Sequence, residues 1–359
     1  MTPPRRRLGA TGVLLLAVLA VVPAATAATK TTLRLGSHTM INPTMTPAAV
    51  NGLFKASRDA HLGTVRLDVL VSSIFPQPLG LPDWTSLDTV RAAARYHHLQ
   101  VMAVLSGTPW WDAKCPLGAL RSDRCPPGDE AAWARMVEQI AARAPEIRYW
   151  EILNEANIVN RKTKMGEYFY GDAVAYARLL RVSAAAIRRG NPRAKIVFTG
   201  VIEPYDRWLD RVLAQPGTVR SFDIANAHLR GGIGKLDDMV RVVRARYRAR
   251  GFRGPLWVTE MGYPSDRYFQ WDPAYIGRSE RAAQHQQGRF LHKAVPVLLK
   301  AGAERVFITL RDFDFGWGLF ASEGVMNWPA LTVKQAYYTV QGMALRLIQR
   351  DARRAARGP

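Results

Sequence analysis

Apolar and polar residues alternate along the chain in a pattern that predicts strands and helices in succession. Short apolar runs predict eight strands, at 32–37, 63–69, 99–105, 149–155, 195–199, 222–228, 256–259 and 305–310. Segments with apolar residues at helical spacing follow them, at 48–61, 84–97, 129–143, 176–189, 236–251, 279–301 and from about 332. Strands that alternate with helices pair in parallel through right-handed crossovers. Eight such units predict a single-domain α/β fold, the (β/α)8 TIM barrel, whose active site forms at the carboxyl ends of the strands.

Two of the predicted strands finish on acidic residues. The segment 149–157 reads YWEILNEAN and places Asn154 and Glu155 at the strand end, and the segment 255–262 reads PLWVTEMG and places Glu260 in the same way. Asparagine is disfavoured inside strands and an unpaired buried carboxylate is costly, so polar groups here indicate chemistry. Retaining glycoside hydrolysis requires such a pair of carboxylates, one as acid/base and one as nucleophile.

The first residues have the pattern of a secretory signal peptide. A basic region at 5–7 precedes an apolar run at 14–22 and the small residues at 25–27. We therefore predict a signal peptide at 1–27, a catalytic domain at 28–359, and a secreted protein that can also associate with the cell envelope. The apolar run is short for a bilayer span, and an uncleaved membrane anchor is the alternative.

The chain has two cysteines, Cys115 and Cys125, and both lie in one polar loop. In an oxidising compartment, two cysteines this close predict a disulfide that closes a small loop. A zinc site needs more ligands than these two residues supply.

The net charge of +21 raises the question of an acidic partner. A basic chain can bind nucleic acid, acidic lipid or an acidic polymer. Here many arginines fall on predicted helices, as in 241–248, which favours solvated helix faces. No sequence module for nucleic-acid binding accompanies the charge. We therefore predict no nucleic-acid partner and keep an anionic cell-envelope polymer as an alternative partner.

The Asn-Glu pair after strand four and the glutamate of strand seven resemble the clan A glycoside hydrolases, over nearly all of the chain after the signal peptide. Within the clan, the segments 84–111, 150–157 and 259–264 are most similar to family thirty-nine and to neighbouring cellulase-like families. The resemblance implies retaining hydrolysis of O-glycosidic bonds in a poly- or oligosaccharide, with Glu155 as acid/base and Glu260 as nucleophile. Retaining chemistry in turn predicts carboxyl groups about 5–5.5 Å apart.

Three further residues have candidate roles in binding the substrate or supporting the glutamates. Asn154 can hydrogen-bond the hydroxyl beside the anomeric carbon, a contact that strengthens in the transition state. Arg66, on the second strand, matches the clan's arginine and can keep Glu260 ionised, with a structural ion pair as the alternative. His228 ends strand six and matches a clan histidine, and its alternative is also structural.

Two departures from the clan pattern affect the expected shape of the sugar site. Arg230 stands where members often have a tyrosine that bonds the nucleophile, and strand eight continues into Arg311 where members often have tryptophan. Trp317 is therefore the candidate for the missing aromatic platform. Trp110 and Tyr263 are further candidates for stacking on the apolar face of a sugar, with ordinary packing as the common alternative for such rings.

No cofactor motif and no clustered set of metal ligands is found in the sequence. The glycine-containing segment 230–236 lacks the residues of a phosphate loop. We therefore predict a carbohydrate substrate, no cofactor and no metal. Two alternative functions keep the same fold without hydrolysis: a non-catalytic carbohydrate-binding barrel and a basic cell-envelope adhesion protein.

Overall fold

The computed structural model describes residues 34–159, 166–202, 205–314 and 318–357, in which strands and helices alternate. The strands are β1 (Leu35–His38), β2 (Thr64–Leu70), β3 (Gln100–Ser106), β4 (Tyr149–Ile152), β5 (Lys195–Val197), β6 (Ala225–His228), β7 (Leu256–Met261) and β8 (Arg305–Thr309). The helices are α1 (Pro47–Asp59), α2 (Val71–Ile74), α3 (Thr85–His97), α4 (Glu130–Arg143), α5 (Ala173–Gly190), α6 (Trp208–Leu213), α7 (Ile233–Ala249), α8 (Glu280–Ala301) and α9 (Gln335–Ala356). Among these described helices, none is both long and apolar enough to cross a membrane.

Neighbouring strands pair in parallel, in the order β5-β4-β3-β2-β1-β8-β7-β6. The two ends of this order meet through parallel bridges from Val197 to Ile224 and from Val201 to Ala227. At the same seam, the amide of Phe198 donates to the carbonyl of Ile224 at 2.9 Å. The sheet therefore closes on itself, which confirms the predicted (β/α)8 TIM barrel. The predicted signal peptide at 1–27 lies outside the described residues.

Side-chain caps explain where four of the helices begin. Thr46, Asp129, Asp172 and Ser279 precede α1, α4, α5 and α8, and each side chain accepts a hydrogen bond from a backbone amide of the first turn. Gly302 ends α8 with a φ of 110°, a conformation that favours glycine. The starts of the seven helices predicted from the sequence lie within three residues of the observed ones.

Aromatic and apolar side chains fill the amino-terminal half of the barrel interior. This buried group consists of Met102, Tyr149, Val197, Ile224, Trp257 and Phe307. Arg305, the first residue of β8, lies below it, with its guanidinium carbon 4.5 Å from the Trp257 ring centre and 5.2 Å from that of Tyr149. Because these side chains fill the amino-terminal half of the interior, polar side chains lie at the carboxyl ends of the strands.

The loop between β3 and α4 is closed by the predicted disulfide. Cys115 and Cys125 are bonded, with Cα atoms 5.0 Å apart. An antiparallel bridge between Ala113 and Pro127 closes the base of the same loop. The prediction of a loop-closing disulfide is therefore confirmed.

Candidate active site

Glu155 and Glu260 come together at the carboxyl ends of the strands. One carboxylate oxygen of each lies within 4.8 Å of the other. The two residues are 6% and 4% exposed, so both carboxylates are largely removed from water. Buried carboxylates are costly unless partners compensate them, and the partners of these two differ.

Glu155 is held on a turn after β4. We predicted that strand four runs to Glu155, and this was wrong, because the strand ends at Ile152. The chain then turns through left-handed conformations at Leu153 (φ 59°) and Glu155 (φ 42°). Non-glycine residues adopt this conformation at a cost, and such sites concentrate where function requires a particular side-chain direction. Asn157 pins the turn to Ile202, donating to its carbonyl at 2.7 Å and accepting from its amide at 3.1 Å.

Glu260 lies within β7, where a register shift directs it into the barrel. Ala227 pairs with Val258 while His228 pairs with Glu260, so Thr259 is the extra residue of a bulge. Both Thr259 and Glu260 therefore contact the same polar interior, although neighbours on a regular strand face opposite sides. Bulges next to active sites commonly re-aim a side chain in this way.

A chain of hydrogen bonds behind His228 fixes which ring nitrogen carries a hydrogen. The amide of Asn226 donates to the carbonyl of Phe198 at 3.1 Å, which turns its oxygen toward Thr259. The Thr259 hydroxyl donates to that oxygen at 2.8 Å and so accepts from Nε2 of His228 at 3.0 Å. In the neutral ring Nδ1 is then a bare acceptor, and it lies 2.7 Å from Oε1 of Glu155. One proton must be held at this contact, either on the carboxyl or on the ring.

Arg66 lies beneath the two glutamates, is 1% exposed and hydrogen-bonds with four residues. It donates to both oxygens of Glu151, at 2.7 and 3.0 Å, and to Oδ1 of Asn154 at 2.7 Å. It also donates to Oε1 of Glu260 at 2.8 Å and to Nδ1 of His38 at 2.5 Å. We included Arg66 among substrate-binding residues, but its burial corrects this to an ion-pair role below the site.

Glu260 accepts a guanidinium hydrogen bond at each oxygen. Arg66 donates to Oε1 and Arg230 donates to Oε2, both at 2.8 Å. Burial works to raise the pKa of Glu260, but His228, Arg66 and Arg230 hold the pKa well below its ordinary range. Glu260 is therefore a carboxylate that stays ionised, which is the state a nucleophile requires.

His38, at the end of β1, is a donor that sequence reasoning missed. Burial lowers the pKa of His38 to about 3, so the ring is neutral. Arg66 can only donate, so Nδ1 of His38 accepts and Nε2 carries the hydrogen. Nε2 is buried without a hydrogen-bond partner in the part of the chain that the structure describes. A buried donor without a partner is rare in folded proteins.

The other predicted site residues differ in their exposure and in their contacts. Asn154 accepts from Arg66 at Oδ1, and its amide hydrogens bind no other residue that the structure describes. His228 is 2% exposed and contacts Glu155, which corrects the expected substrate contact to one behind Glu155. Trp110 is 62% exposed, with its ring nitrogen donating to Pro76 at 3.0 Å. Tyr263 is 1% exposed and packs on Phe290, so the expected sugar contact is corrected to packing.

Trp317 lies outside the described residues. Two exposed aromatic residues that we did not single out lie near the acidic pair. Phe320 is 44% exposed, with the Arg230 guanidinium 5.5 Å from its ring centre. Tyr168 is 43% exposed, and burial of its hydroxyl with the charges of Glu155 and Glu260 raises its pKa. These rings are further candidates for contact with a sugar.

Glu155, His228 and Glu260 together present three possible metal-ligand atoms within 4.8 Å of one another. Both oxygens of Glu260 already accept from guanidinium groups, and Nδ1 of His228 is engaged with Glu155. A cation at this point would meet two permanent positive charges within hydrogen-bond distance of the same carboxylate. The two guanidinium groups therefore disfavour a cation at this point.

The comparisons with known proteins found similar solved structures but no similar sequence. No protein-family model and no curated protein matches the sequence. Among solved structures, a family 39 glycoside hydrolase from the gut symbiont Bacteroides cellulosilyticus WH2 is similar, with a TM-score of 0.63 and 16% identity over 87% of this chain. The match covers 63% of that structure's own length.

Two further solved structures extend the comparison. A GH5_18 protein from Streptomyces cattleya, in complex with GlcNAc, has a TM-score of 0.65 and 16% identity, over 88% of this chain and 80% of that one. An exo-beta-1,4-mannosidase from Opitutaceae bacterium strain TAV5 has a TM-score of 0.63 and 18% identity, over 89% and 60% of the two chains. The resemblance to clan A glycoside hydrolases, including family 39, is confirmed at the level of the fold.

Proposed function

We propose that this protein is a retaining glycoside hydrolase that cleaves O-glycosidic bonds of a poly- or oligosaccharide. The observation that carries the proposal is the separation of the two carboxylates, with one oxygen of each within 4.8 Å. Retaining enzymes place the two carboxyl groups about 5–5.5 Å apart, whereas inverting enzymes need about 6.5–9.5 Å to admit water. The spacing therefore supports double displacement.

The two glutamates take different parts in that reaction. An oxygen of Glu260 attacks the anomeric carbon while the bond to the leaving oxygen breaks, and Glu155 gives that oxygen its proton. Water then attacks the same carbon and passes a proton to Glu155, and Glu260 leaves as a carboxylate. The contact of Glu155 with a bare nitrogen of His228 supports its part, since a proton is held there.

Asn154 offers a donor for a hydroxyl group of the sugar. Its amide hydrogens, which bind no other described residue, can bind the hydroxyl beside the anomeric carbon, a contact that strengthens in the transition state. The exposed ring of Trp110 can cover an apolar sugar face farther from the acidic pair.

The location and an anionic partner are also proposals. The basic, apolar and small-residue segments at 5–27 support secretion, and the net charge of +21 supports association with an anionic cell-envelope polymer. Amino-terminal sequencing of the exported protein tests the first, with a new terminus after residue 27 as the expected result. Salt-dependent co-sedimentation with envelope polysaccharide tests the second.

Hydrolysis is tested with a panel of activated aryl β-glycosides and envelope polysaccharides, followed by NMR of the first-formed sugar. We expect turnover of at least one substrate, with a product that keeps the anomeric configuration. Glu260→Gln is the control that separates this activity from a contaminant, and it should be inactive. An inverted product would exclude double displacement. Carbohydrate binding without turnover would indicate the non-catalytic barrel, and salt-sensitive binding to anionic polymer alone would indicate the adhesion protein.

A further inference from the structure

The Arg230 side chain contacts three buried carboxylates, those of Glu155, Glu260 and Glu323. Its Nη2 donates to Oε2 of Glu260 at 2.8 Å, and its Nη1 lies 3.5 Å from Oε1 of Glu155. Its Nε donates to Glu323, at 3.0 and 3.2 Å from the two oxygens. The Arg230 side chain is 14% exposed, so it lies between the buried Arg66 and the solvent.

Glu323 fixes Arg230 from a buried position. Its side chain is completely buried, in the segment that follows β8. It lies against Gly262, where a Cβ would come within 2.7 Å of the Cβ of Glu323. Only glycine leaves room for the carboxylate at this point, so β7 and the segment after β8 together define the place of Arg230. Since Glu323 offers no exposed surface, it acts on the site through Arg230.

A second permanent cation on Glu260 has consequences for both steps of the reaction. A carboxylate that carries two guanidinium partners is less basic than one with a single partner. For thiols, and by the same reasoning for carboxylates, lower basicity makes a weaker nucleophile and a better leaving group. The second partner should therefore slow the attack of Glu260 on the sugar and speed its departure when water attacks.

We propose that Arg230 is a positioning residue, held by Glu323, that keeps Glu260 ionised and shifts the balance of the two steps toward breakdown of the glycosyl-enzyme. This inference rests on the proposed function. In the first step the bond from Glu260 to the anomeric carbon forms and the leaving-group bond breaks. In the second, that bond breaks with both electrons returning to Glu260 as water adds. Arg230 forms no bond to the sugar, and its contact with Oε2 of Glu260 leaves a lone pair on that oxygen.

The first test measures Glu260 directly and needs no substrate. Protein labelled with 13C at the glutamate carboxyl is titrated by NMR, and the Glu260 resonance is assigned by its loss in Glu260→Gln. Removing an adjacent arginine should raise the pKa of Glu260 by about 1–3 units in Arg230→Met, and by less in Arg230→Lys, which keeps the charge. Arg241→Met is the matched control, because Arg241 is an exposed arginine of α7 that pairs with Asp237. It should leave the resonance unmoved.

The second test uses the aryl glycoside identified in the substrate panel. We expect a larger burst of aryl release in Arg230→Met than in the wild type, with more glycosyl adduct on Glu260 by mass spectrometry. An unchanged Glu260 pKa in both Arg230 variants, or a burst in the wild type that is lost in Arg230→Met, would overturn the proposal. If the wild type hydrolyses no glycoside, the proposed function fails instead. The NMR titration still shows whether Arg230 keeps Glu260 ionised, and Arg230→Lys replaces Arg230→Met if the latter does not fold.

Discussion

The two glutamates at the barrel mouth share one site but have opposite surroundings. Glu260 lies on a strand and accepts from a guanidinium group at each oxygen, at 2.8 Å in both cases. Glu155 lies on a left-handed turn, and its close contact is a histidine nitrogen at 2.7 Å. Among the described residues, the guanidinium atom nearest to Glu155 is the Nη1 of Arg230, at 3.5 Å.

In the proposed reaction, this difference separates a carboxylate that must stay charged from a carboxyl that must gain and lose a proton. Two permanent cations stabilise Glu260 as an ion, whereas Glu155 contacts a ring nitrogen that can donate or accept in a hydrogen bond. Two carboxyl groups in such different environments commonly take the roles of acid/base and nucleophile. The surroundings therefore support the same assignment that the position of each residue in the sequence suggested.

The largest expected effect comes from neutralising each glutamate in turn. Glu260→Gln removes the nucleophile, so no glycosyl-enzyme should form on any substrate. Glu155→Gln removes proton transfer, which is worth about 10²–10⁴-fold for a poor leaving group and little for an activated aryl group. Steady-state rates on both kinds of substrate check this. Azide should then restore turnover in Glu155→Gln, giving a β-configured glycosyl azide from a β-glycoside.

The proposed difference between the two glutamates would be wrong if the rates of both variants depended on the leaving group in the same way. Failure of azide to rescue either variant with retention would also contradict the proposed roles. A glycosyl-enzyme trapped in Glu155→Gln lacks only a base to activate water, and azide needs no such base. Either result would show that the surroundings do not separate the two roles.

The fold and the acidic pair could be predicted because they depend on local patterns. Alternating apolar segments gave the order of strands and helices, and the carboxyl ends of parallel strands meet by topology. The end of β4 could not be predicted, because a left-handed turn at Leu153 and Glu155 interrupts residues that favour a strand. The direction of Glu260 depends on a bulge that one strand acquires only by pairing with its neighbours.

The supporting residues were harder to predict because they are brought in from distant segments. Arg66 and Glu151 are 85 positions apart, and Arg230 and Glu323 are 93 apart. Glu323 lies after β8 in a segment without periodic pattern. His38 had a usable signal, since it is a polar residue at the end of an apolar strand. Tyr263 shows the opposite error, because an aromatic residue after β7 gives the same signal whether it packs inward or faces a ligand.

A second prediction uses pH to test Glu323, the residue that holds Arg230 against Glu260. Burial raises the pKa of Glu323 from its ordinary value of 4.5 to about 7, although Arg230 opposes the shift. The folded state therefore holds a proton that the unfolded state has lost, and this contribution to stability falls as pH rises from about 4.5 to 7. Glu323→Gln removes the titration, so the stability of the wild type relative to this variant should fall by up to about 3 kcal/mol across the window. Urea unfolding at both ends of the window measures it. A constant difference would show that Glu323 ionises alike in both states.

The smallest expected effect is on the Glu155 side and concerns the disulfide between Cys115 and Cys125. The loop it closes carries Arg124, whose carbonyl accepts from the amide of Tyr170 at 2.8 Å and whose guanidinium lies 5.5 Å from the Tyr168 ring centre. These contacts tie the loop to the segment that follows Glu155.

Replacing both cysteines by serine should lower the free energy of unfolding by about 2–3 kcal/mol, since the closed loop is short. Urea unfolding without reductant measures this, and wild type unfolded with reductant is the matched control. Because the loop supports the segment after Glu155, hydrolysis of substrates with poor leaving groups should fall more than glycosylation by activated aryl glycosides. An equal loss on both kinds of substrate would show that the disulfide stabilises the barrel as a whole and not the surroundings of one glutamate.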